Sequence, residues 1–382
     1  VKGINPYTPG AGTRPEPLGG RDQQVAIVRS LADQVDGGRE ANPIVFIGLR
    51  GVGKTSLLYE IRDMLRQRGW MAGYYEVRRD VEPGQAIRTI VTDSANELPN
   101  SKLRAALPGA LARIGGMKLA LGPAGVGFTV DTRATVPPDP YDDLVGFLRS
   151  LGKVAKDHGT GVAIIVDELQ VFRKRDLAIL IQALGALRDL PIMFIGAGLP
   201  YLPAEMSKAN TYTERFRFER LDYLTAQDAR EAIIAPAFKQ GVTWDSAAAD
   251  RLVAESDGYP YLVQLFASES WNAASGDTIT ENAAGQGLTV ARRLLDSGLY
   301  AARYERLSEG ERQYVDAMAE LMPRTGKRVG SGAVAAHLGK TLNGLGPVRD
   351  RIIRKGVIHS PTAGQLEFSV PGFVDYVRRR NA

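Results

Sequence analysis

The segment Gly48-Leu49-Arg50-Gly51-Val52-Gly53-Lys54-Thr55 reads G-x-x-x-x-G-K-T and follows directly on the apolar run Pro43-Ile44-Val45-Phe46-Ile47. No other stretch restricts the fold as much. A glycine-rich loop cradles phosphate only when a buried strand delivers it and a helix N-terminus backs it. Leu57, Leu58, Ile61, Met64 and Leu65 recur at helical spacing behind the loop and supply that helix. The glycines let successive backbone N–H groups converge on phosphate oxygens, so Gly48, Arg50, Gly51, Val52, Gly53, Lys54, Thr55 and Ser56 are expected to wrap the anion. Lys54 supplies a point charge for the terminal phosphates, and the Thr55 hydroxyl is a ligand for Mg²⁺. The loop predicts binding of a nucleoside triphosphate and leaves open what that binding drives.

Composition narrows the surroundings. A chain of 382 residues exceeds what one core usually serves, so two or three domains are expected. Cysteine is absent, which excludes structural disulfides and thiolate metal sites. His158, His337 and His359 are too scattered for a zinc site. No apolar run approaches a membrane span and no signal-peptide core opens the chain, so no membrane partner is expected and the cytoplasm is the expected location. Charge is uneven. Residues 291–382 carry 16 Lys and Arg against 9 Asp and Glu, while the remainder carries 32 against 34. The whole positive excess therefore lies in the last quarter, which points to a polyanion there.

Read along its length, the chain opens with a Pro- and Gly-rich extended arm over 1–20. Next come a helix over Asp22–Val35, the loop and its helix, and a second strand over Trp70–Val77. Helical patches near Gln85–Glu97 and Ser101–Ile114 precede a β-hairpin over about 117–130 that turns at Gly122-Pro123-Ala124-Gly125. A helix over about Tyr141–Asp157 leads to the apolar run Val162-Ala163-Ile164-Ile165-Val166, which has the pattern of a strand buried on both faces. Pro191–Ile195 is another such strand and Arg215–Leu221 a weaker one. Strands alternating with helices predict an α/β fold, a P-loop parallel αβα sandwich over 21–222. An all-helical pattern over 223–306 has the character of a lid, and a further domain occupies 307–382.

Asp167-Glu168 closes the Val162 run. A carboxylate at the C-terminal end of such a strand lies beside the phosphate loop in a doubly wound sheet. Asp167 is placed to hold the Mg²⁺ shell, and Glu168 to orient or deprotonate the attacking water. In-line phosphoryl transfer also calls for an arginine, often from a neighbouring subunit. Arg215 and Arg217 both lie in Tyr212-Thr213-Glu214-Arg215-Phe216-Arg217-Phe218; Arg215 is preferred because it stands nearer the strand's start, and Lys208 is an outside candidate.

In the last domain, Ser308 and Glu311 make a capping box for a helix continued by Val315, Met318, Ala319 and Met322. A short helix over Gly332–Leu338 follows. A third helix is expected with Pro347 in its first turn and Gly356 at its end. Val357–His359 and Gln365–Val370 form a hairpin. Three helices and a hairpin make a winged helix, whose third helix typically enters the major groove of DNA. Arg349, Arg351, Arg354 and Lys355 are the expected DNA contacts, with Arg378-Arg379-Arg380 a solvated tail or a non-specific phosphate contact.

With these motifs in order, the chain resembles the AAA+ ATPases, more narrowly the initiator-like and archaeal-type ATPases that carry a C-terminal winged helix. Asn5-Pro6-Tyr7-Thr8-Pro9-Gly10 and the Tyr212–Phe216 segment also look like a group of bacterial proteins usually called ATP-binding proteins. The resemblance implies that Leu18-Gly19-Gly20-Arg21-Asp22 is an adenine-side motif, with Gly20 and Arg21 at the nucleotide. It also implies an oligomer. Two departures stand out. The place of the polar sensor 1 residue reads Ile195-Gly196-Ala197-Gly198, and the lid carries Asp257-Gly258-Tyr259-Pro260-Tyr261 instead of a sensor 2 arginine. A Gly-x-Pro lid resembles the signal-transduction ATPases, in which the proline, here Pro260, lies near the adenine. The resemblance thus implies a slow, switch-like ATPase using ATP, ADP and Mg²⁺. Its output is expected on double-stranded DNA through the winged helix. The alternative is a signalling switch whose winged helix binds a protein or clamps the core, and a small-molecule kinase is a distant third.

Overall fold

A computed structural model of the chain describes residues 3–10, 18–98, 101–111, 117–122, 125–130, 139–187, 189–323 and 326–381. Two compact units emerge, one of Arg21–Gly48 and Gly53–Asp222, the other of Val1–Gly20, Leu49–Val52 and Tyr223–Ala382.

The first unit is built on runs of β-branched and aromatic residues that become strands buried on both faces. In chain order its elements are α1 (Asp22–Asp36), β1 (Ile44–Gly48), α2 (Lys54–Gln67), β2 (Met71–Glu76), α3 (Pro83–Asn96), α4 (Ser101–Leu111), β3 (Met117–Gly122), β4 (Gly125–Val130), α5 (Pro140–Asp157), β5 (Val162–Asp167), α6 (Lys174–Gly185), β6 (Ile192–Gly198), α7 (Leu202–Ala209) and β7 (Arg217–Leu221). Five strands form one parallel sheet in the order β2-β5-β6-β1-β7, while β3 and β4 pair only with each other, as an antiparallel hairpin. The centre of the expected hairpin turn, residues 123–124, lies outside the described residues. Every residue of β5 is buried, which explains why its sequence runs apolar without alternation. One helical layer holds α1 against α2; the other joins α3, α5, α6 and α7. The α/β P-loop fold expected from the sequence is therefore present. Residues Thr211–Arg215 form a 3₁₀ turn, so the last strand starts two residues later than its apolar pattern suggested.

In the second unit, helices α8 (Ala226–Lys239), α9 (Ser246–Ser256), α10 (Pro260–Ala273) and α11 (Glu281–Leu295) pack together. Between them β8 (Thr243–Trp244) and β9 (Thr278–Ile279) make a small parallel pair that the helical reading lacked. Asn5 and Tyr7 tie the N-terminal segment down. Tyr7 is buried between Trp244 and Trp271, its hydroxyl donates to Ile233 O, and Asn5 Nδ2 donates to Asn272 Oδ1 at 3.0 Å. The chain continues through α12 (Ala301–Glu305), α13 (Glu309–Leu321), β10 (Val329–Gly330), α14 (Ser331–His337), α15 (Leu342–Arg354), β11 (Ile358–His359), β12 (Gln365–Phe368) and α16 (Phe373–Asn381), with β10, β12 and β11 in one antiparallel sheet.

Helix α15 corrects one expectation. Thr341 caps it, its Oγ1 accepting Gly344 N–H at 3.1 Å, so Pro347 falls inside the helix and not in its first turn. Gly356 does end it, with φ +72°.

The capping box of α13 is present, and Glu311 does more than cap. It is 1% exposed, accepts Ser308 N–H at 2.8 Å, and also accepts from Arg351 Nε at 3.3 Å and Lys355 Nζ at 2.5 Å. Burial alone would raise its pKa. Lys355, the Ser308 N–H and Arg351 outweigh that and hold the carboxyl below its usual range. A depressed folded-state value means that the Glu311 contribution is complete above the ordinary value of 4.5 and is lost as the pH falls through the folded value. Glu311→Gln is expected to cost about 2 kcal/mol at neutral pH. Melting curves of variant and wild type should converge as the solution is acidified below that ordinary value.

Candidate nucleotide site

The glycines at 51 and 53 adopt φ +83° and +89°, a left-handed backbone that lets the chain coil tightly before α2. Lys54 and Ser56 open that helix as buried polar residues, and Lys54 Nζ donates to Gly48 O at 3.0 Å. Thr55 Oγ1 donates to Asp167 Oδ2 at 2.7 Å, joining residues 112 apart in sequence. Asp167 is 1% exposed, and both its carboxylate oxygens accept hydrogen bonds. Its Oδ1 accepts Glu168 N–H at 2.7 Å, and Oδ2 also accepts the Tyr74 hydroxyl at 3.2 Å. Burial, with the Asp167 charge next in effect, raises the Tyr74 pKa far above its ordinary range, so this hydroxyl stays a donor. A hydroxyl and a carboxylate oxygen side by side suit Mg²⁺, which takes hard oxygen ligands and fills its shell with water and phosphate.

Glu168 has a left-handed backbone, φ 56°, which costs a residue with a Cβ about 1–3 kcal/mol. That turn breaks the strand directly after Asp167 and sends the next side chain off the strand's alternation. Gln170 Nε2 donates to Glu168 Oε2. Adjacent carboxylates thus have different surroundings, one buried on Thr55 and Tyr74, the other held by an amide.

Residues 17–195 match the AAA ATPase domain family. This stretch is similar to that family over 179 of the 382 residues. Residues 297–377 match a family described as a domain of unknown function. No curated protein matches the chain. Among solved structures, the chain is similar to a Walker-type ATPase of Pyrococcus abyssi at 16% identity and TM-score 0.60, covering 96% of this chain and 97% of that one; this likeness shows the fold. Two further structures match with lower scores. One is a variant of Thermotoga maritima RuvB, at 18% identity, TM-score 0.48 and 93% and 94% coverage. The other is Aeropyrum pernix ORC1 in complex with DNA, at 13% identity, TM-score 0.46 and 95% and 92% coverage.

Within the sheet-bearing unit, Arg215 lies far from Gly53–Thr55 of the phosphate loop. Strand β7 runs parallel to β1, with Arg217 opposite Ile44 and Leu221 opposite Gly48. Arg215 therefore precedes the sheet's N-terminal edge, whereas the loop follows its C-terminal edge, a strand length of roughly 16 Å away. Its guanidinium lies 4.5 Å from the centre of the Tyr212 ring, beside a small cavity of about 60 Å³ whose lining includes Glu40, Leu187, Phe194 and Phe216. Arg217 pairs with Glu219 at 2.6 Å and Lys208 with Glu205 at 3.2 Å, so both alternative cations are engaged locally. Arg21, from the Leu18–Asp22 motif, is buried and donates to Asp222 O at 2.8 Å.

Within the helical unit, Gly20 has φ +69°, and a Cβ there would meet Asp228 and Leu224. Gly258, at φ +68°, lies against the Leu224 backbone. Pro260 opens α10, and Tyr259 is the member of that motif that contacts the segment Leu49–Val52 of the same unit. It is buried and its hydroxyl donates to Arg50 O at 2.7 Å. A Cβ at Gly51 would collide with that hydroxyl. The Arg50 side chain runs beside Gly356, where a Cβ would stand 2.9 Å from Arg50 Cδ, and Arg303 Nη1 donates to Gly356 O at 2.9 Å.

The expected DNA contacts are arranged unequally. Arg351 and Lys355 reach back to Glu311, Arg349 pairs with Asp350 at 3.2 Å, and Arg354 is exposed with no ion-pair partner among the described residues. The terminal arginines are not a free tail. Arg378 Nε donates to Ala319 O at 3.0 Å, Arg379 pairs with Asp296 at 2.7 Å, and Arg380 lies over the Tyr304 ring. Tyr74 and Gln170 had no motif to mark them: Tyr74 meets Asp167 across 93 residues, and Gln170 meets Leu199 across 29.

Proposed function

We propose that this chain is a slow, Mg²⁺-dependent ATP-hydrolysing switch of AAA+ type, whose nucleotide state governs a C-terminal winged helix that binds double-stranded DNA. The observation carrying the hydrolytic part is the 2.7 Å contact between Thr55 and Asp167, with Glu168 next in sequence. Lys54 and the loop N–H groups bind the phosphates, as do Gly48, Arg50, Gly51, Val52, Gly53, Thr55 and Ser56. Gly20, Arg21 and Pro260 are assigned to the adenine side. Thr55 and Asp167 would hold Mg²⁺, which when bound would supply charge neutralisation at the terminal phosphates. Glu168 accepts a proton from water as the water oxygen bonds to the γ-phosphorus and the bond to the bridging oxygen breaks, leaving ADP and phosphate. Arg215 is assigned as the finger of a neighbouring subunit, which makes self-association part of the reading. Cytoplasmic location remains the expectation.

Arg354, Arg349 and the outer faces of Arg351 and Lys355 support the DNA reading for α15. A second reading has its own support. Arg50, Tyr259, Arg303 and Gly356 form one linked set, so the C-terminal module can hold the segment Leu49–Val52 and act as a clamp or a protein-binding switch without DNA. Filter binding to duplex DNA across a salt series, with ATP and with ADP, separates the two. The DNA reading predicts nucleotide-dependent retention whose logarithm falls with log salt at a slope of about −3 to −4 for four cations on phosphate. No salt-sensitive retention in either nucleotide state, together with ADP carried through purification, favours the clamp.

A further inference from the structure

Strand β6 ends where a polar side chain is usually stationed to watch the γ-phosphate, yet it reads Gly196-Ala197-Gly198. The space is filled from another direction. The two residues after Glu168 turn back over the end of β6. A Cβ at Gly196 would run into Leu169 Cδ1, and one at Gly198 would stand 2.8 Å from Gln170 Oε1. Gln170 Oε1 accepts the backbone N–H of Leu199, the residue following β6, at 3.2 Å. That contact sets the orientation of the side-chain amide, because its two ends differ: with the carbonyl on Leu199, the NH₂ faces Glu168 and donates to Oε2. The amide thereby ties the end of β6 to the carboxylate of Glu168.

We propose that Gln170 is a positioning residue for hydrolysis. It supplies, from the turn after β5, the polar group that the end of β6 does not carry, and it holds Glu168 in one orientation toward the attacking water. This rests on the assignment of Glu168 as the base. A glutamate has three side-chain torsions, and anchoring its carboxylate to an amide that is itself held by the Leu199 N–H restricts that freedom before substrate arrives. A Cβ at position 196 would displace Leu169, and one at position 198 would press first on Leu202 and then on Gln170 Oε1.

Two substitutions in the full chain test this. Gln170→Met keeps length and removes both contacts; Gln170→Glu keeps an acceptor for Leu199 N–H but cannot donate to Glu168. Three readouts are compared: fluorescent-ADP affinity, steady-state ATP turnover, and hydrogen exchange at the Leu199 amide. The expected result is unchanged nucleotide affinity in both and a fall in kcat of roughly 10- to 100-fold in both. Leu199 protection should be lost only in Gln170→Met. Wild-type turnover in Gln170→Glu would overturn the proposal, as would affinity falling in step with turnover in Gln170→Met, which marks a merely structural residue. Glu168→Gln is run alongside. If it loses turnover while the Gln170 variants keep theirs, only the role of Gln170 fails; if it turns over normally, the base assignment fails and this inference with it.

Discussion

Lys54→Ala is expected to abolish nucleotide binding at micromolar concentrations. The ammonium is buried at the start of α2, 3.0 Å from Gly48 O, and is the only full positive charge that the loop's own motif contributes apart from exposed Arg50. Losing a charge-assisted contact to phosphate costs about 3 kcal/mol, which is roughly a hundredfold in Kd. Fluorescent-ADP titration reads it directly, and an unaltered melting temperature would show that the fold has survived. Normal affinity would mean that the loop is not the site.

Glu168→Gln should have the opposite signature. The amide keeps the size of the carboxylate and can still accept from Gln170, so ATP and ADP affinity should hold. Turnover should fall by about 10²- to 10⁴-fold, the usual contribution of a positioned base. Phosphate release under saturating Mg²⁺ and ATP measures it. Unchanged turnover would remove Glu168 from the chemistry and leave water activation to another group.

What could be read from the sequence was whatever is written in neighbouring residues. The loop, the strand before it and the helix after it form one continuous stretch, and Asp167-Glu168 announces itself as the end of an apolar run. The capping box at Ser308 and Glu311 spans only one helical turn. Contacts made across the chain had no such signal. Leu199 meets Gln170 across 29 residues, Tyr74 meets Asp167 across 93, and Tyr259 meets Arg50 across 209. Each depends on strand order or helix packing that no local pattern encodes. Charge counting is coarse for a related reason. A tally of the last quarter finds a positive excess, but it cannot see that Arg351 and Lys355 share a buried carboxylate or that Arg378 binds carbonyls at the end of α13. The start of α15 was misplaced because Pro347 is a conspicuous helix-opening residue, while Thr341 does the capping six residues earlier.

The parallel sheet gives each copy of this protein a head and a tail. The nucleotide loop is at one end of the strands and Arg215 at the other, so no copy can bring its own Arg215 to its own phosphates. A guanidinium from Arg215 can reach phosphate only from another copy. Two arrangements supply it: an antiparallel two-fold pair, in which each copy's Arg215 end meets the other's loop end, or a head-to-tail contact that closes into a ring or winds into a filament. The pair and the ring give every loop a partner arginine, whereas an open filament leaves one terminal loop without its complement.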